Sequence, residues 1–207
     1  MFHDLLQASG FKRTIFNAIV APRPIGWISS MGPGGQVNLA PFSHFNLVST
    51  APAVLIFSCN TPADRPEKDT LANVRATGEF VCNLVSRELV EAMNATSSPV
   101  PYGSNEFELA GVEQASCVHV RAPRVKASPA AMECKLLRFA EIEPELPGET
   151  RSTVVFGRIV GVHIAEGFID DKGRFDTVRA RPVTRLGGIQ YAEAGPIFEL
   201  PSAFTKV

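Results

Sequence analysis

The chain has 207 residues, enough for one ordinary domain with a sizeable core, and its composition (45% hydrophobic, 20% charged) is that of a globular protein. A formal charge of −1, with no long run of one sign, excludes the basic field that nucleic acid requires and offers nothing to an anionic membrane surface. The longest apolar runs are far too short to span a bilayer. The start, MFHDLLQASGFKR, has an early acid and no apolar signal core, so the expected location is the cytoplasm.

In chain order, short runs rich in Val, Ile and Phe are separated by Gly, Pro, Asn and Ser, a strand pattern. Strands are expected at Ile15–Val20, Ile25–Met31, Val37–Ser43, Ala53–Cys59, Glu79–Val85, Ala131–Ile142 and Thr153–Ile164. Gly32-Pro33-Gly34-Gly35 reads as a hairpin turn and Asp171-Lys172-Gly173 as another. The last two strands are long enough to wrap a barrel, bending at Gly157 and Gly161.

Helices are few. Asp69–Thr77 places Leu71 and Val74 on one face and stops at Gly78; a second runs from about Ser86 to Asn94; Phe107–Ala110 makes a short third. The proline-containing stretch from Ser97 to Pro129 reads as an excursion over the surface. The whole is mainly β: an antiparallel barrel with a few inserted helices, and without the glycine fingerprint of a dinucleotide fold. Cys59, Cys82, Cys117 and Cys134 are widely spaced, support no metal site and read as small buried hydrophobes.

Two stretches carry the functional argument. In SCNTPADRPEKDTLANVRATG (58–78), a strand ends in a proline-containing loop that delivers Arg65 and Lys68 to a helix start at Asp69-Thr70. Free N–H groups at a helix start attract anions, and two cations with a hydroxyl beside them make a phosphate cradle. The same spacing also describes an ordinary solvated loop with Asp69 as a cap. In RPIGWISSMGPGGQVNLAPFSHFN (23–46), two strands carry Trp27, Ser29 and an Asn-x-Ala-Pro sequence. Pro41 marks an edge or break that leaves backbone groups free for a flat heterocycle; a plain sheet edge with an aromatic cluster is the other reading.

Taken together and in this order, RPIGWISS, NLAPFSHFN, KDTLANV and FVCNLV resemble the flavin reductase-like family, which includes reductase components of two-component flavin monooxygenases such as nitrilotriacetate monooxygenase component B. VVFGRIVGVHI and RPVTRLGGIQY resemble its later strand and its ending. The resemblance implies a Greek-key split β-barrel over residues 1–207, a homodimer with FMN near its interface, and NAD(P)H as reductant. It implies that Arg65, Lys68 and Thr70 hold the FMN phosphate, with Ser58 and Asp69 as second contributors, and that Trp27, Ser29, Ala40, Ser43 and Asn46 line the ribityl chain and ring, partly through backbone groups.

The same resemblance makes His163 the catalytic candidate, on a face with Gly157 and Gly161 whose missing side chains leave room for a ligand; a core histidine bonded to a carbonyl is the alternative. Arg185 and Tyr191 would close the pocket on the substrate side. The implied chemistry is hydride transfer from NAD(P)H to FMN, with reduced flavin passed to a monooxygenase or another acceptor. An FMN-bound electron carrier without NAD(P)H activity, or a non-catalytic flavin-binding module, are the rival readings on the same barrel.

Overall fold

The computed structural model describes residues 2–6 and 10–200. A 3-10 turn at Arg13–Ile15 enters α1 (Phe16–Ile19), followed by β1 (Arg23–Pro24), β2 (Gly26–Met31), β3 (Val37–Phe42), β4 (Phe45–Thr50) and β5 (Ala53–Asn60). Next come α2 (Asp69–Thr77), β6 (Glu79–Asn83), a 3-10 turn at Arg87–Leu89 leading into α3 (Val90–Ala95), and α4 (Glu106–Leu109). The chain then forms β7 (Gln114–Ala115), β8 (Arg124–Val125), β9 (Ala130–Ile142), β10 (Ser152–Ile164), α5 (Thr177–Ala180), β11 (Val183–Arg185) and β12 (Tyr191–Glu193).

The main sheet has seven antiparallel strands in the order β3-β2-β6-β9-β10-β5-β4. β3 and β4 are consecutive in sequence yet occupy opposite edges of this sheet. Two linking residues, Ser43 and His44, span only a short distance, so the sheet must curl until its edges meet there. That closure without ladder pairing makes the fold an antiparallel Greek-key split β-barrel. β1, β11 and β12 form a small second sheet, which brings the C-terminal segment back beside the start of β2.

The period-2 alternation of β2 explains why nearly every residue in it is buried. Ile28 points into the barrel with Phe42, Leu55, Phe57, Val74, Phe80 and Val155. Trp27 points the other way, into a layer with Leu39, Val85, Met93, Phe107, Val125 and Val183. Register shifts in the β9–β10 ladder fall between Phe156 and Gly157 and between Ile159 and Gly161, the two bend sites expected from the glycines.

Two expectations change, and one strand was not anticipated. Ile15–Val20 is not a strand: residues 13–19 form the 3-10 turn and α1, and its apolar residues are exposed. β4 was hidden in the sequence because its residues are mostly exposed and lack alternation. The stretch from Ser97 to Pro129 is no mere surface excursion, since it forms α4, β7 and β8 and buries Phe107, Val120, Ala122 and Val125.

Candidate functional site

α2 begins where the extended Lys68 follows a loop stiffened by Pro62 and Pro66. Its first helical bond runs from Ala72 N–H to Lys68 C=O, so the N–H groups of Asp69, Thr70 and Leu71 have no helical acceptor, and no side chain among the described residues caps them. The helix ends as expected at Gly78, whose φ of 70° is the left-handed turn that glycine adopts without strain. Leu71 and Val74 anchor it in the barrel core. Two buried side-chain bonds fix its start against the sheet: Asn38 Nδ2 donates to Thr70 Oγ1 (2.8 Å) and Asn73 Nδ2 donates to Ser30 Oγ (3.1 Å).

This start forms one wall of a cleft of about 470 Å³, within the size range of small-molecule sites. Asn38, Ala40 and Pro41 of β3 form the facing wall, and Thr96–Val100 closes one end. Arg65 donates to Asp69 Oδ1 (2.9 Å) and to Val100 C=O (3.3 Å), which ties the loop across the cleft. The Lys68 ammonium is exposed, lies 5.5 Å from the centre of the Phe42 ring, and has no carboxylate partner among the described residues.

β3 is an edge strand, as Pro41 suggested. Its outward Leu39 N–H is taken by Glu106 Oε2 (3.0 Å), and Pro41 has none to offer. Burial pushes the Glu106 pKa up, against the Leu39 hydrogen bond that pulls it down, while the Asp69 charge adds to the rise.

A second cavity, of about 630 Å³, adjoins the first and shares Pro41 and Ser97 with it. Ser43, Arg23, Arg185 and Tyr191 line it, so the structure joins Ser43 to the two substrate-side candidates. The two cavities form one groove along the edge of β3.

Of the expected contact residues, Ala40, Arg65, Lys68, Asp69 and Thr70 share the first cleft and Ser43 stands at the second. Trp27 and Ser29 are fully buried, and neither lines the two cavities, so any contact from them would be through the backbone of β2. The Trp27 indole donates to Thr96 Oγ1 (2.9 Å), so it supports a cleft residue from behind. Ser29 Oγ donates to Pro123 C=O (2.5 Å) and accepts from Asn83 Nδ2 (3.2 Å). Asn46 is exposed on β4, where its Oδ1 accepts from Leu47 N–H (2.9 Å), and Ser58 meets Ser152 Oγ (2.8 Å) on the outer side of β5; neither lines the groove of its own chain.

His163 lies near the end of β10, outside the groove of its own chain, in a separate hollow with Arg124, Lys126 and Ser128. Its Nε2 is 2.6 Å from Glu133 Oε1. The reason offered for room beside it does not hold. A Cβ on Gly157 would come within 2.3 Å of Phe80, and one on Gly161 within 3.4 Å of Glu133, so both glycines make space for the protein's own side chains.

Asn38, Thr96, Ser97 and Glu106 were missed. The run Thr96-Ser97-Ser98 after a helix was the available signal for the hydroxyls; nothing local marks Glu106, which acts on Leu39 from 67 positions away.

Residues 20–179 match the family model described as "Flavin reductase like domain". A curated, uncharacterized relative from Aquifex aeolicus is 38% identical over 176 residues, covering 85% of this chain and 86% of the relative. Among solved structures, nitrilotriacetate monooxygenase component B from Bacillus cereus superposes with a TM-score of 0.88 at 29% identity, covering 97% of this chain and 98% of that one. A split-barrel domain protein of Shewanella frigidimarina, 21% identical and covering 94% and 95% of the two chains, superposes with a TM-score of 0.80 and shares the fold.

Proposed function

Because the chain belongs to the flavin reductase-like family, we propose that it is an FMN-dependent flavin reductase that takes hydride from NAD(P)H. The observation that carries this reading is the uncapped start of α2, with Lys68 beside it, facing the β3 edge across one cleft. Unsatisfied N–H groups, a helix dipole and an unpaired ammonium suit a phosphate, and the adjoining groove suits the extended remainder of FMN. Bound FMN supplies the hydride-accepting chemistry; the chain's own contribution is to hold, orient and shield.

In this reading Lys68 and the N–H groups of Asp69 and Thr70 hold the phosphate. Arg65 fixes the loop through Asp69 and Val100, and Ala40, Pro41 and Ser43 line the ribityl chain and ring. Arg185 and Tyr191 approach the ring from the C-terminal segment, where the reductant enters. Asn46, Ser58 and His163 lie outside the groove of their own chain, so their roles require a second copy. The protein works as a cytoplasmic homodimer, and Leu47 and Val48 of β4 with Val162 of β10, exposed apolar side chains, are the surface a second copy would cover. His163 from the partner then faces the flavin, and reduced flavin passes to an oxygenase or another acceptor.

Anaerobic mixing tests the proposal. Purified protein loaded with FMN should lose its yellow colour on addition of NADH or NADPH alone. A protein that binds FMN but keeps its colour with both nucleotides is an electron carrier instead. One that FMN cannot titrate is neither.

A further inference from the structure

β1 and β11 pair so that Arg23 stands directly opposite Arg185. Like charges directly opposite across an antiparallel ladder repel. Neither guanidinium has a carboxylate partner among the described residues, although most other arginines here form ion pairs. Both line the 630 Å³ cavity.

Arg23 is also 8% exposed. Its terminal nitrogens donate to the carbonyls of Asn17, Val20 and Leu186, which ties α1 and the C-terminal segment to β1. Its buried Nε has no partner among the described residues. A buried, unpaired N–H on a cation costs the desolvation of that group with nothing in return, and such sites call for an explanation. Arg185 lies 4.4 Å over the Tyr191 ring, and Tyr191 O–H meets Asn94 Oδ1 at 3.3 Å, so its guanidinium is held from behind. Charge agrees with geometry: burial and the neighbouring Arg185 both lower the Arg23 pKa, and Arg23 and Lys68 add to partial burial in lowering that of His44. Among the described residues, the charged groups that line this cavity, Arg23 and Arg185, are both cations.

We propose that the cavity between Arg23 and Arg185 is an oxyanion-binding pocket, which takes the carboxylate or phosphate of the molecule that exchanges electrons with the flavin. An anion there would neutralise the opposed pair. Apolar neighbours, Ile25, Met93 and Ile189, would cover the rest of that molecule. The role as electron partner rests on the flavin reading above; the anion pocket itself does not.

Calorimetric titration of the full chain with pyrophosphate and, separately, with benzoate tests it. At least one anion should bind, binding should survive Lys68→Ala, and Arg185→Gln should weaken it roughly tenfold or more. Arg185→Lys should recover most of the loss, and the bound anion should raise the melting temperature of the unaltered protein, which keeps the test valid if Arg185→Gln folds poorly. Preference for pyrophosphate assigns a phosphate-bearing partner, and preference for benzoate a carboxylic acid. Absence of binding at millimolar anion, or binding indifferent to Arg185→Gln, overturns the pocket. FMN titration of the same samples separates the two ideas: no FMN binding with Arg185-dependent anion binding removes the flavin reading alone.

Discussion

The cleft beside α2 and the hollow beside His163 hold similar chemistry in opposite states. At the cleft, Lys68 has no carboxylate partner and the first N–H groups of the helix no side-chain cap among the described residues. At the hollow, the Glu133 carboxylate, 1% exposed, is fully engaged. It accepts from the N–H groups of Val118 (2.8 Å), His119 (2.6 Å) and Val120 (3.1 Å), besides meeting His163 Nε2. Polar groups that the chain satisfies itself hold structure; those it leaves open are where a ligand adds something.

The largest effect should come from breaking the satisfied cluster. Glu133→Ala removes one side chain but leaves three N–H donors of residues 118–120 without an acceptor, together with His163. By the measure of other buried, hydrogen-bonded charges, the loss should be about 3–5 kcal/mol in urea unfolding. The unaltered protein should show the same dependence on acid. Burial alone would raise the Glu133 pKa, but the Val118 and His119 N–H groups and the His163 ring outweigh it and hold the pKa below its ordinary value. A depressed carboxylate stabilises the fold above its unfolded pKa, roughly 4.3, and that contribution disappears as pH falls through the lower folded value. An acid limb that is unchanged by Glu133→Gln would show that other carboxylates set it.

Lys68→Ala should act the other way, on binding and hardly on stability, because the ammonium has no ion-pair partner to lose. FMN should weaken by about 1.5–3 kcal/mol, roughly 10- to 100-fold, while riboflavin, which lacks the phosphate, changes little. Equal losses for both, measured by flavin fluorescence, would move the phosphate away from Lys68 and erase the contrast between the two regions.

What could be read in advance follows the same division. The α2 side was legible because residues 58–78 are contiguous: strand end, prolines, cations, helix start and Gly78 follow one another, and local rules set each step. The long strands and their bends were legible from periodicity and from Gly157 and Gly161. The burial of the Trp27 and Ser29 side chains was not legible because β2 is covered on both faces, which depends on β3, β6 and the layer beyond them. Glu106 and Glu133 reach backbone groups across 67 and up to 15 positions, a span at which no spacing rule operates. Buried acids that serve distant N–H groups look like surface acids in a sequence.

Thr96 tests whether the division is clean, since it belongs to both classes. It lines the cleft beside α2, yet its Oγ1 accepts from the buried Trp27 indole and donates to Met93 C=O (2.7 Å). Thr96→Val keeps the shape of the wall and removes both bonds, leaving the indole N–H unpaired in the core. Stability should fall by about 1–2 kcal/mol, less than for Glu133→Ala. FMN affinity should move by less than that, because the cleft surface presented by residue 96 is nearly isosteric. If affinity instead drops as steeply as in Lys68→Ala, the Thr96 hydroxyl touches the ligand directly. The line between supporting and contacting residues would then run through this side chain instead of in front of it.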